Sequence, residues 1–340
     1  MKETYPSKLY SASKIAPLWM NGDRHEDLMS ELADERRFIS FSGQHFSGLH
    51  VNRFFASSIP LVRLGSWLSA SNTPEAKYTM YQFAAANPER QILLIDMPSH
   101  GSSDNLSAKQ WAETVRFQKV SEIGKAQAEA VRSHIPSATE IIVVGDSLGG
   151  RVAPDFARHA GQLGLNPILI AGFDIAGIDK RRSLRMAEAF FIAEKKRQHR
   201  YHEGPQNMAL DEAYDHQFVP MLPRYGMSNV KYNPMAVYKK NPLLSLFFLA
   251  RSPIASNTAF QSIEAVLDYN DQVIASFVSG GLSKVCRWQH IQEDIQSLKD
   301  KYNKRFTWDV WPNDSHSMNI APQQPRFAQL TRNMIDNVLN

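Results

Sequence analysis

A chain of 340 residues, 43% of them hydrophobic, is long enough to bury a large core as one big domain or two smaller ones. Its net charge of +4 is a small excess of 38 Lys and Arg over 34 Asp and Glu, which argues against a nucleic-acid partner. The single cysteine, Cys286, excludes an internal disulfide and fits a reducing cytosol. The most apolar run, Leu243 to Ala250, falls far short of a membrane span, and Met1 to Lys8 lacks the apolar stretch of a signal peptide; a cytoplasmic location is the expectation.

Residues 1–36 are polar and mixed, with a short amphipathic helix expected around Asp27 to Arg36. The first core strand is read at Arg37 to Phe41, followed by the loop Ser42-Gly43-Gln44-His45. From Leu49 to Asn72, Phe54, Phe55, Leu61, Leu64, Trp67 and Leu68 stand among small and polar residues, which suits a lid or extra core. A helix is expected over 74–87, with Pro74 in its first turn, and then the strand Gln91 to Ile95. That strand runs into Asp96-Met97-Pro98-Ser99-His100-Gly101-Ser102-Ser103, a turn in which Asp96 and Ser103 are expected to bond backbone. Ser107-Ala108-Lys109-Gln110 has the form of a capping box. It opens a helix read through Trp111, Val115, Ile123 and Val131 to a stop before Pro136.

The most informative stretch comes next. Ile141-Ile142-Val143-Val144 are four β-branched residues, suited to a strand covered on both faces. They run into Gly145-Asp146-Ser147-Leu148-Gly149, a GxSxG sharp turn whose flanking glycines remove side chains that would clash in the bend. Ser147 would stand above the strand's carboxyl end with its hydroxyl exposed. Such a serine needs a base within reach and amide donors for the oxyanion formed on attack at a carbonyl. The Leu148 amide, opening the following helix, is placed to be one donor. Pro154 is expected to kink that helix at a cost of roughly 3 kcal/mol.

This strand, elbow and helix, together with an Asp96–Ser103 turn similar to DxPGxGxS, resemble the α/β-hydrolase superfamily from about Phe38 to His316. The resemblance implies a mostly parallel central sheet with helices on both faces, and the order nucleophile, acid, histidine along the chain. By position in that pattern, the loop after Arg37–Phe41 makes the Gln44 amide the second oxyanion donor. His316, just beyond a last strand read at Arg305 to Trp311, is the base; His100 is a weaker candidate. Residues 179–251, helical in pattern and rich in aromatics and methionine, correspond to the superfamily's cap insertion, leaving 37–178 and 252–340 as the core.

Three places compete for the acid. Asp174 follows the strand Pro167 to Ala171 in Gly172-Phe173-Asp174-Ile175-Ala176, which looks like the acid-bearing segment of the pancreatic-lipase family, and is the expected acid. Asp294 and Glu293 are the candidates if the seventh strand is Lys284 to Gln289, and Asp271 if it is Ile263 to Leu267. No HExxH, Cys and His cluster or GxxxxGK loop calls for a metal or a phosphate-bearing cofactor, so none is expected. The reading is a capped serine hydrolase acting on an ester-like bond of a small, apolar acyl substrate. An acyltransferase or C–C hydrolase on the same triad, and a binding protein that keeps the elbow without catalysis, are the alternatives. Oligomeric state is left open.

Overall fold

The computed structural model describes residues 33–51, 59–66, 70–71, 91–117, 119–175, 258–281, 288–312 and 324–339, with 76, 79, 80, 83, 84, 86, 87, 89, 90, 283 and 286 between them. In chain order the elements are β1 (Ala33–Ile39), β2 (His45–Val51), β3 (Leu61–Leu64), β4 (Ile92–Ile95), α1 (Ala108–Phe117), α2 (Ser121–His134) and β5 (Glu140–Asp146). There follow α3 (Leu148–Gln162), β6 (Asn166–Phe173), α4 (Thr258–Tyr269), β7 (Ile274–Gly280), α5 (Gln292–Tyr302), β8 (Phe306–Trp311) and α6 (Gln324–Leu339). The strands form one sheet in the order β1-β2-β4-β3-β5-β6-β7-β8. Among the described strands only β2 runs against its neighbours; β3 to β8 pair in parallel throughout.

Parallel strands need covering on both faces, and β5 shows how the sequence provides for this. Ile141 and Val143 face a core built with Ile123 and Val131 of α2, Val152 and Phe156 of α3 and Ile263 of α4. Ile142 and Val144 face a second core with Met80, Phe83 and Ile335. All four are fully buried, each worth roughly 1.5–3 kcal/mol by transfer. Because β3 to β8 point the same way, the residues that follow them gather along a single rim.

Several elements differ from the sequence reading. Residues 33–36 belong to β1 and not to a helix; the strand turns at Ser40 to Gln44 into β2 as a hairpin, with Gly43 at φ 83. Within the span 49–72, residues 49–51 end β2 and 61–64 form β3. The single helix expected after Ser107 is two helices. The capping box is present, with the Ser107 hydroxyl accepting from the Gln110 amide (3.2 Å) and the Gln110 side chain accepting from the Ser107 amide (2.9 Å). However, α1 ends at Phe117, and Glu113 then accepts the Glu122 amide in the first turn of α2 (2.8 Å). Helix α3, by contrast, runs to Gln162 with Pro154 inside it, as the sequence reading has it. The seventh strand is neither segment considered but Ile274–Gly280, which the spacing of Val273, Ile274 and Phe277 had disguised as a continuation of α4. The expected cap, 179–251, lies outside the described residues. Among the described residues no helix is long and apolar enough to cross a membrane.

Candidate active site

Ser147 occupies the junction of β5 and α3 with φ 51 and ψ −117, a backbone state that costs a non-glycine residue of the order of 1–3 kcal/mol. The surroundings hold it there. Its amide donates to the Phe173 carbonyl on β6 (2.9 Å), and its carbonyl accepts the Arg151 amide to start α3 (3.1 Å). A Cβ at Gly145 would collide with the backbone of Gly149 and Gly150, so strand and helix approach as closely as two chains can. Although a serine at a helix N-cap ordinarily caps the helix, the Ser147 hydroxyl makes no such bond. The residue is largely buried yet retains 8% exposure.

Leu148 follows as the first residue of α3, where backbone amides have no partner within the helix. A Cβ at Gly149 would meet the Leu64 carbonyl and lie 2.9 Å from the Gly65 carbonyl. The segment leaving β3 therefore lies directly against the first turn of α3. Gly65 donates its own amide to Ile95 (2.9 Å), and Ser66 is the next residue on the rim.

Gln44 requires a correction. It ends the β1–β2 hairpin, three strands from β5 in the sheet, which at about 4.8 Å per strand is roughly 14 Å. Its amide donates to the Ser40 hydroxyl (3.0 Å), and its side chain exchanges hydrogen bonds with Gln110 (3.0 and 2.8 Å). The strand before the elbow-side loop is β3 and not Arg37–Phe41. The sequence signal for the missed loop is a glycine directly after a short strand, at Leu64-Gly65-Ser66.

Asp174 directly follows β6, the strand beside β5. It is fully buried, with φ 43. Its amide donates to Val278 (2.7 Å), while its carboxyl oxygens accept the Gly280 amide (Oδ1, 3.0 Å) and the Ser283 hydroxyl (Oδ2, 2.6 Å). Since Ser147 donates to Phe173, the two residues stand either side of one interstrand hydrogen bond. Asp271 lies in the turn that enters β7, on the opposite rim, and bonds the Gln272 side chain (3.2 Å). Glu293 and Asp294 occupy the first turn of α5, where negative charge complements the helix's positive end. His316 lies outside the described residues; β8, which precedes it, ends at Trp311 on the rim that carries Ser147.

The Asp96 turn is structural, as expected. The Asp96 carboxylate accepts the Ser71 amide (2.8 Å) and the hydroxyls of Ser71 and Ser47 (both 2.7 Å), while the Ser103 hydroxyl accepts the Ser47 amide (2.9 Å). His100 is buried in this turn, donating from Nδ1 to the Pro98 carbonyl (2.9 Å). Burial pushes its pKa down to about 4, against a smaller upward effect of that hydrogen bond.

The model of a family described as alpha/beta hydrolases matches residues 61–326. Among solved structures, an esterase from a Rhodococcus species superposes with a TM-score of 0.58 at 16% identity, over 89% of this chain and 99% of that one. A Pyrococcus furiosus esterase gives 0.56 at 12% identity, over 92% and 93%. A thermophilic esterase from Thermogutta terrifontis gives 0.52 at 14%, over 90% and 99%. At these identities the likeness concerns the fold. No curated protein sequence matches the chain.

Proposed function

We propose that this chain, which belongs to the alpha/beta hydrolase family, is a serine hydrolase that cleaves carboxylic esters of apolar acyl groups through an acyl-enzyme. The observation that carries the reading is the Ser147 backbone. A serine held at φ 51 and ψ −117 between a buried strand and a helix, its hydroxyl unused in capping, is strained where an ordinary turn would relax to glycine. Such strain has a use when the hydroxyl must be presented to a substrate.

In the proposed reaction, Ser147 Oγ attacks the ester carbonyl while His316 takes the hydroxyl proton, and Asp174 holds the imidazole in the tautomer that can accept it. The resulting oxyanion accepts from the amide of Leu148 and from that of Ser66, which takes the role first given to Gln44. The close approach of Gly149 to Leu64 and Gly65 supports this pairing. The protonated imidazole then gives its proton to the departing alcohol, and water attacks the acyl-serine with the same base assisting. Asp174 is preferred as the acid because it is one strand from Ser147 and on the same rim, whereas Asp271 is on the opposite rim.

A fluorophosphonate probe tests the reading. Label mapped to Ser147 in the wild type, and lost in both Ser147→Ala and His316→Ala, is the expected result. Asp174→Asn should lower turnover of a short p-nitrophenyl ester roughly ten-thousand-fold while leaving the fold intact. Well-folded wild type that takes no label would overturn the proposal.

A further inference from the structure

The carboxyl group of Asp174 is held from β7 and not from its own strand. Gly280 ends β7 and donates its amide to Oδ1 (3.0 Å). Three residues on, Ser283 donates its hydroxyl to Oδ2 at 2.6 Å, the short length of a hydrogen bond to a charged acceptor. The Ser283 hydroxyl is itself pinned, because its oxygen accepts the Cys286 amide (3.0 Å). With that lone pair occupied, the single hydroxyl proton is directed at Asp174. The loop is drawn back over β7 by the Ser283 amide, which donates to the Gly280 carbonyl (3.1 Å), and Ser283 is buried with it.

We infer that Ser283 is the positioning residue of the catalytic acid, an inference that rests on the reading of Asp174 in that role. One anchor on a carboxyl group leaves the group free to rotate about its last bond. Two anchors on different oxygens, both supplied by β7 and its loop, fix the carboxyl plane. The backbone beneath is fixed as well, since Asp174 sits at φ 43 with its amide bound to Val278. Ser283 thus acts through Asp174 without touching substrate.

The test compares Ser283→Ala, Ser283→Thr and Ser283→Val with Asp174→Asn, reading kcat and KM on a p-nitrophenyl ester and the rate of fluorophosphonate labelling of Ser147. Loss of one hydrogen bond to a charged group predicts a fall in kcat of roughly 10- to 100-fold in Ser283→Ala, with KM unchanged. Threonine, which keeps the hydroxyl, should restore most of that loss; valine, matched to it in shape, should not. If the alanine variant fails to fold, the threonine and valine pair decides alone. Equal turnover by threonine and valine variants, or an alanine variant as fast as wild type beside an inactive Asp174→Asn, overturns the role of Ser283 and leaves the acid in place. An Asp174→Asn variant of undiminished kcat removes the acid assignment itself.

Discussion

Arg63 and Asp146, 83 residues apart in the chain, meet as an ion pair of 2.8 Å with both side chains almost entirely shielded from water. The guanidinium also lies 5.3 Å from the centre of the Phe83 ring. Arg63 stands two residues before Gly65, and Asp146 one before Ser147, so the pair fastens together the two chain segments that frame the proposed oxyanion. Removing one partner of a buried pair strands the other charge, at a cost of about 3–5 kcal/mol. Arg63→Met should therefore lower the urea midpoint strongly. Arg63→Met combined with Asp146→Leu should recover much of that stability, since apolar replacement of a whole pair is often neutral. Turnover in the double variant should stay low, because the tie between the segments is gone. A single variant as stable as wild type would show that the pair contributes nothing.

The same pair explains why one part of the fold was hidden in the sequence. β5 and its elbow are written locally: four β-branched residues, then glycines at each side of Ser147. The capping box at Ser107 and Gln110 is local too. β3 is only four residues, Leu61–Leu64, and carries a charge at its third position. Such a residue is acceptable in a covered strand only with a partner, and that partner is on β5. With β3 unread, Arg37–Phe41 took its place and carried the oxyanion assignment to Gln44. β7 was obscured differently: Val273, Ile274 and Phe277 extend the helical spacing of Phe260, Ile263, Val266 and Leu267 across the turn at Asn270 and Asp271. The place of Asp174 directly after a strand was legible. Its anchors were not, because Gly280 and Ser283 are more than a hundred residues away.

Gly149 should tolerate no side chain. The atoms that a Cβ would meet are the backbone of Leu64 and Gly65, which cannot rotate aside. Gly149→Ala should destabilise by about 1–3 kcal/mol as β3 and α3 are forced apart. Turnover should fall roughly 100- to 1000-fold, as expected when one oxyanion donor is displaced. Gly150→Ala is the control. Its closest neighbours are at 3.0 Å (Gly145 carbonyl) and 3.1 Å (Ile175 Cγ1), and its effect should be milder by both measures.

Gln44 and Gln110 exchange two amide hydrogen bonds, and Gln110 also accepts from Ser107 at the start of α1. The hairpin β1–β2 is thereby joined to the helix that follows the Asp96 turn. Gln44→Ala leaves the Gln110 amide short of a partner and should cost about 1–3 kcal/mol in chemical denaturation. Ester turnover should be unchanged, as suits a residue roughly 14 Å along the sheet from the β5 end. A large loss of kcat in a stably folded Gln44→Ala protein would return this residue to the site.

His100 makes the fold sensitive to mild acid. Its pKa is about 4 in the folded chain, lowered by burial from an ordinary 6.5. Above pH 6.5 the imidazole is neutral in both folded and unfolded chains, and the stability it contributes is fully present. Between pH 6.5 and 4 the unfolded chain takes up a proton that the folded chain refuses, so stability falls with pH, by about 3 kcal/mol in all. Below pH 4 both states are protonated and the loss is complete. His134 and His159 act in the same direction; burial lowers each, helped by the charges of Arg36 and Arg158 respectively. Urea midpoints measured from pH 7.5 to 4 should fall more gently in His100→Gln than in wild type. Identical slopes in the two proteins would mean that His100 is protonated in the fold as readily as in the unfolded chain.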